Sequence, residues 1–322
     1  MNRVNRDQRV VAIIGAGMVG MSCAYALLNQ GICNRILLID VDEQRAMGEA
    51  MDLNHGLPFA PRRIQIENGS YRDLKQADIA VLCAGVNQKP GESRLSLLQR
   101  NTVIARQVTR QAVDAGFSGL FLVASNPVDI MTYVFTKISG LPERQIIGSG
   151  TVLDTARLKF GLSDHFGVAQ KNIHAYVFGE HGDTSFIPWS GAYISGVSVD
   201  EFYEVMKSKG RDIKELDKDA MLTYVQKSGG TIIANKGATF YAVSRAVCQI
   251  CSRVNAASDS IATVSSMMHG EYGIEDVCLS TLTLLGPNGI QGKIPMRMNK
   301  AEIAKLQASA DALKAVIAQI EL

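Results

Sequence analysis

The chain has 322 residues, enough for one large α/β unit or two domains with cores of their own. It is 47% hydrophobic and 20% charged, and its 33 basic and 31 acidic residues leave a formal net charge of +2, so no bulk field recommends nucleic acid or a membrane surface as a partner. No apolar run reaches the roughly 20 residues of a membrane span, and the polar residues 1–8 lack the apolar segment of a secretory signal, which predicts a soluble cytoplasmic protein.

In chain order, short apolar runs at Val10–Ile14, Arg35–Ile39, 64–66, 79–83, 119–123 and 145–148 alternate with helical stretches. Nearly continuous β-branched and aliphatic runs are what strands buried on both faces look like. Strand and helix in alternation predict a doubly wound, Rossmann-type parallel sheet, which binds ligands beyond the carboxyl ends of its strands. Near residue 148 the pattern changes. A helix is predicted at 154–166, then strands over 172–195 interrupted by Gly179-Glu-His-Gly182, and long helices at 212–234 and 238–255. A hairpin follows, with strands at 277–285 and 290–298 around Pro287-Asn288-Gly289. The last helix starts at Asn299 as N-cap, with Glu302 three residues on. The expected organisation is a dinucleotide domain at 1–148 and an α+β substrate domain at 149–322.

Gly15-Ala-Gly-Met-Val-Gly20 follows the first strand directly and opens a helix. Gly15 permits the tight turn, Gly17 lets the backbone approach a pyrophosphate, and Gly20 lets helix and strand pack closely. A bare G-x-G-x-x-G is weak, but the next strand ends in Asp40, twenty residues beyond Gly20. A carboxylate there accepts from ribose hydroxyls and repels a 2′-phosphate, favouring NAD over NADP; the motif alone leaves FAD open.

The six cysteines, Cys23, Cys33, Cys83, Cys248, Cys251 and Cys278, lie in apolar segments and read as buried free thiols. Cys248 and Cys251 form a C-x-x-C pair, but it sits inside a helical pattern with no second pair and no nearby His, so no metal site is expected.

Three residue groups bear chemistry. His181 lies in the Gly-flanked segment Gly179-Glu-His-Gly-Asp183 and is one of five histidines, with His55, His165, His174 and His269. Asp154 and Arg157 stand three apart at a helix start, so they share a face. One could orient an imidazole while the other offers a fork to a carboxylate; an exposed i,i+3 pair of no energetic weight is the competing reading. Arg94 ends a Gly/Pro-bearing polar stretch after the strand at 79–83, where a loop can close over substrate or simply be surface.

Together these motifs, with Asn87-Gln-Lys-Pro-Gly-Glu-Ser-Arg94, Ser125-Asn-Pro-Val-Asp129 and Lys236-Gly-Ala-Thr239, make the chain resemble bacterial-type L-lactate dehydrogenases, within the lactate/malate dehydrogenase family, over nearly its whole length. The resemblance implies an NAD-dependent oxidoreductase that interconverts lactate and pyruvate at the end of fermentation. It implies His181 as proton donor and acceptor, Asp154 holding its ring, Arg157 clamping the substrate carboxylate and Arg94 polarising the carbonyl. Asn126 would contact nicotinamide and substrate, Thr239 would line the substrate pocket, and Val19, Arg45, Tyr71, Gly85 and Ser125 would lie beside the cofactor.

An Arg at the position of Gln88 accepts a second carboxylate and makes a malate dehydrogenase in this family; neutral Gln88 argues for a monocarboxylate. Larger 2-keto acids stay open, since Val86 (Ala in many relatives), Thr239 and Val243 also shape the pocket. Many bacterial relatives bind fructose 1,6-bisphosphate between subunits through an Arg and a His; this chain has Lys159 and His174 at those places, keeping the charge but losing one bidentate fork. The family suggests a homotetramer, with helices near 45–57 and 212–234 as interface material. A non-catalytic NAD-binding scaffold is the reading from another class, and the presence of His181, Asp154, Arg157 and Arg94 speaks against it.

Overall fold

The computed structural model describes residues 9–85 and 94–321. The first half alternates β1 (Val10–Ile14), α1 (Met18–Gln30), β2 (Arg35–Ile39), α2 (Glu43–His55), β3 (Gln65–Asn68), β4 (Ile79–Leu82), α3 (Arg94–Asp114), β5 (Leu120–Val123), α4 (Val128–Ile138) and β6 (Ile146–Gly148). The second half follows with α5 (Val152–Phe166), β7 (Ile173–His174), β8 (Tyr193–Ile194), β9 (Val197–Ser198), α6 (Val199–Ser208), α7 (Lys218–Lys236) and α8 (Tyr241–Asn255). It ends with β10 (Ser260–Ala262), β11 (Ser265–His269), β12 (Glu275–Ser280), β13 (Thr283–Gly286), β14 (Gly289–Lys293) and α9 (Lys300–Ile317).

The main sheet runs β12-β11-β6-β5-β4-β1-β2-β3. Its six strands from the first half are parallel, while β11 and β12 join antiparallel at the β6 edge. Strand order reverses between β1 and β4, so the crevice at their carboxyl ends is the expected ligand site. Both sheet faces are buried. Ala12 and Ile14 of β1 belong to a core shared with α3, α4 and α9, while Val11 and Ile13 belong to one shared with α1, α2 and α8. Alternate side chains point to opposite faces, so aliphatic residues at every position are the requirement this architecture sets. A third core joins α5, α6 and α7 to the β7–β9 sheet.

Several boundaries differ from the sequence expectation. Over 172–195 only two-residue strands form, plus isolated Phe178–Phe186 and Gly179–Ser280 bridges, so most of that segment is irregular backbone. The helix expected from 212 begins at Lys218, because the Asp217 side chain accepts from the N–H groups of Asp219 and Ala220 and caps it. The helix expected from 238 begins at Tyr241, and the strand expected over 277–285 is two strands. Of these, β12 pairs with β11 in the main sheet and β13 forms the hairpin with β14. At the last helix Asn299 and Glu302 form the reciprocal capping box read from the sequence.

All six cysteines are free thiols; Cys83 is half-buried and the others are buried. Among the described residues no helix is long and apolar enough to cross a membrane.

Candidate active site

The Gly-rich turn links β1 to α1 at the reversal point. Gly15 has φ +104°, and a Cβ there would lie 2.7 Å from the Ala84 nitrogen at the end of β4, so only glycine fits between the two strand ends. A Cβ at Gly20 would collide with the Gly15 carbonyl, fixing how closely α1 lies on the turn. At Gly17 a Cβ would meet nothing within 4 Å. Gly17 is the N-cap of α1 and supplies no side-chain cap, and the first turn carries no acidic residue, so the helix N-terminus faces open space. A dinucleotide's pyrophosphate fits that cradle.

Asp40 directly follows β2, beside the turn. Its carboxylate accepts from Ala16 N–H at 2.5 Å and Asp42 N–H at 2.9 Å. Two of roughly four lone-pair positions remain for a ribose. The Tyr71 phenol lies close by, its pKa pushed up to about 12 by burial and by the Asp40 charge. Arg45 donates its N–H to the α2 cap Asp42, and its guanidinium lies 3.8 Å from Glu49, one helical turn on. The Ser125 hydroxyl is committed to the Ala84 carbonyl at 2.6 Å, tying the end of β5 to that of β4 under Gly85.

Next to this turn lies a cavity of about 270 Å³, lined by Val19 and Asn126 on the cofactor side and by Arg157, His181, Thr239 and Val243 opposite. Asp154, in the first turn of α5, is the hub: Oδ2 lies 2.5 Å from His181 Nδ1 and Oδ1 accepts from Arg157 Nη1 at 2.9 Å. The Asp154 and Arg157 side chains are 7% and 12% exposed, so the surface-pair reading is excluded. Burial alone would raise the Asp154 carboxyl, but the charges and hydrogen bonds of His181 and then Arg157 hold it below the usual carboxylate range. Burial likewise works against a charged His181. The Asp154 charge and hydrogen bond, with the Asp129 charge behind them, outweigh it against the opposing Arg157, and the imidazole pKa is raised.

The loop bearing His181 is held from four directions. Its flanking backbone pairs with Ser280 of β12, with N···O distances of 3.0 and 3.1 Å. The Ser309 hydroxyl of α9 accepts from Glu180 N–H at 2.9 Å, and Asp129 of α4 accepts from His181 N–H at 2.7 Å. Gln226 of α7 donates to the carbonyls of Asp183 and Ser185 at 3.0 and 2.9 Å.

The sequence reading passed over Gln226, Ser309 and the function of Asp129; a lone charge in the apolar run that opens α4 was the available signal for the last. It also passed over Gly229 and Gly230, mid-helix in α7, which line the same cavity. A Cβ on Gly229 would stand 3.5 Å from Arg157 Nη2, and on Gly230 it would meet nothing within 4 Å. Gln88 and Val86 lie outside the described residues, as does the side chain of Arg94, whose backbone opens α3.

Lys159 and His174 stand apart from this cavity, on α5 and β7. The Lys159 ammonium lies 5.6 Å from the Tyr176 ring, and its pKa is lowered by burial and by Arg253. A larger groove of about 770 Å³, between α6 and the start of α7, is lined by Asp200, Glu201, Glu204, Glu215, Asp217 and Asp219. Such a lining repels an organic acid, so volume does not select the site.

Comparison with known proteins agrees with this geometry. Residues 9–148 match the NAD binding domain model of lactate/malate dehydrogenases, and residues 151–321 match their alpha/beta C-terminal domain. An L-lactate dehydrogenase of Bacillus velezensis is 44% identical over 316 residues, 98% of this chain and 97% of the relative. One of Geobacillus stearothermophilus is 44% identical over 315 residues, covering 98% of both chains. A minor L-lactate dehydrogenase from Enterococcus mundtii in its ligands-bound form superposes with a TM-score of 0.94 at 36% identity, over 98% of this chain and 99% of that one. With a glycine turn shaped for a dinucleotide beside a buried His–Asp–Arg group, and matches running from residue 9 to 321, the chain belongs to the lactate/malate dehydrogenase family.

Proposed function

We propose that this chain is an L-lactate dehydrogenase, reversibly interconverting (S)-lactate and pyruvate with NAD as cofactor. The observation that carries the reading is the buried His181–Asp154–Arg157 group facing one cavity with Asn126 and Thr239. Residues 1–148 are assigned to the cofactor and 149–322 to the substrate.

Bound NADH supplies the hydride; Gly15, Gly17, Val19, Gly20 and Asp40 are the residues that would hold it, with Arg45, Tyr71, Gly85 and Ser125 around them. Asp154 engages His181 Nδ1, which leaves Nε2 free for the substrate oxygen. The imidazolium donates that proton as pyruvate is reduced, and neutral imidazole takes it back in lactate oxidation. One Arg157 nitrogen is spent on Asp154, and the remaining donors of the fork hold the substrate carboxylate. Arg94 polarises the carbonyl, and Asn126 orients the reacting groups. Neutral Gln88 leaves the second charge of oxaloacetate unpaired, which selects a monocarboxylate.

Two finer readings concern partners. Exposed Met18, Tyr25 and Tyr241 surround a groove of about 590 Å³ between α1, α2 and α8, and Met47 and Met51 of α2 are exposed as well. Covering these side chains with a second copy would supply one of the contacts that a dimer-built tetramer needs. Lys159, with Arg253 close to it, offers positive charge, and His174 a ring N–H, to a phosphorylated activator such as fructose 1,6-bisphosphate.

NADH oxidation with pyruvate, oxaloacetate and 2-ketoisocaproate, each with and without the bisphosphate, tests the whole reading. A lead for pyruvate in kcat/KM is expected, with a higher rate at subsaturating pyruvate when the bisphosphate is present. A lead for oxaloacetate would break the Gln88 argument, and an unchanged rate would remove the activator.

A further inference from the structure

Asp129 is the second residue of α4, a helix whose residues from Val128 to Phe135 are all buried. It is 2% exposed. One carboxylate oxygen, Oδ2, accepts the main-chain N–H of His181 at 2.7 Å. The other, Oδ1, is buried, with the buried Ser265 hydroxyl of β11 as its polar neighbour. The charged and titratable groups facing the carboxylate are His181 and Glu180 of the loop and Cys278 of β12; the Ser265 hydroxyl is its uncharged neighbour.

A carboxylate kept in such a place is costly, and the hydrogen bond alone does not require it. An asparagine side-chain oxygen would accept the same N–H with no charge to desolvate. What only the carboxylate adds is negative charge that acts on the imidazole in addition to that of Asp154. Its own pKa is raised to about 6, chiefly by burial, so it is ionised at neutral pH.

We propose that Asp129 is a positioning residue for hydride transfer: a second buried carboxylate, supplied by α4, that anchors the catalytic loop through the His181 main chain and favours the charged imidazolium from the backbone side. The inference rests on His181 being the proton donor, but its electrostatic half can be read in the protein without substrate.

Two substitutions separate anchoring from charge. Asp129→Asn keeps an acceptor for the His181 N–H and removes the charge. Asp129→Ala removes both and leaves a buried donor unpaired. His181 is followed by NMR titration of the five histidine rings, with His181→Asn assigning its signal, beside pH profiles of pyruvate reduction. In Asp129→Asn the His181 titration should move to lower pH. Its kcat/KM for pyruvate should fall up to about tenfold at the alkaline end and stay within about twofold in mild acid, with KM for NADH and thermal stability held. Asp129→Ala should lose kcat at every pH.

Unaltered titration and pH profile in Asp129→Asn would overturn the proposal and leave Asp129 a structural acceptor. Should that variant not fold, the wild-type titration decides: ionisation of Asp129 must appear as a second inflection in the His181 signal, and a single inflection would refute it. A wild type that shows the His181 shifts but reduces no pyruvate would instead remove the lactate reading and spare the electrostatic one.

Discussion

The Gly-rich turn and the His181 loop meet at one cavity and are built in opposite ways. The turn is main chain: its fit depends on the absence of Cβ atoms at Gly15 and Gly20, which face the backbone at Ala84 and the Gly15 carbonyl, and Asp40 accepts from Ala16 N–H beside it. The loop is irregular backbone held by side chains from α4, α5, α7 and α9, contributed by Asp129, Asp154, Gln226 and Ser309. A site made of backbone tolerates most changes of side chain and few added carbons. For a site made of converging side chains the reverse holds, and one altered atom can cost the chemistry while the fold survives.

The largest break should come at the loop. Asp154→Asn removes the charge that favours imidazolium and alters the hydrogen bond that orients the ring. We expect kcat/KM for pyruvate to fall by about 10³, with NADH affinity held, as read by fluorescence titration. In the wild type, pyruvate reduction should decline as pH rises through the raised His181 pKa, while lactate oxidation increases there. In Asp154→Asn both transitions should move to lower pH. Stability follows the same signs: the share from His181 is lost as pH rises through its raised pKa, and the share from Asp154 as pH falls through its lowered one.

The turn should break differently. Gly17 has φ −80°, which an L residue adopts freely, and a Cβ would enter the space left for the pyrophosphate. Gly17→Ala should therefore leave the melting temperature unchanged and weaken NADH binding on the order of tenfold, about 1.4 kcal/mol. Gly20→Ala, whose Cβ meets a backbone carbonyl, should destabilise the fold itself, and equal melting temperatures for the two variants would contradict the distinction.

The smallest effect sharpens the comparison from the substrate side. Two adjacent glycines inside α7 cost the helix about 1 kcal/mol each relative to alanine, yet both line the cavity beside Arg157. Gly229→Ala and Gly230→Ala should each raise the melting temperature by about 2 °C. They should also lower kcat/KM for 2-ketoisocaproate more than for pyruvate. Stabilisation without a change in selectivity would make the pair a packing feature.

The legible parts follow this division. The run Val10–Ile14, the glycine spacing and Asp40 are local, and the aliphatic strands could bury both faces only in a parallel sheet with helices on each side. Asp154 and Arg157 could be placed on one face from their spacing, but not assigned to cavity or surface, because burial is settled by what packs over them. The segment 172–195 misled for a related reason. Its apolar residues enter the core without a ladder, and side chains distant in sequence satisfy its backbone. The run at 277–285 hid a division between two sheets, since its residues from β12 and those from β13 are both mostly buried and their partners, β11 and β14, are chosen in three dimensions.

By itself the sequence determined the periodicities, the glycine spacing of the turn, the cap at Asn299 and the identity of the reactive side chains, because each is fixed by a residue and its near neighbours. Only the tertiary structure decided that Asp154 joins His181 to Arg157, that β11 and β12 extend the first sheet, and that Asp129 stands behind the catalytic loop. Those outcomes depend on which groups lose water together, and desolvation belongs to the packed molecule, not to any stretch of its chain.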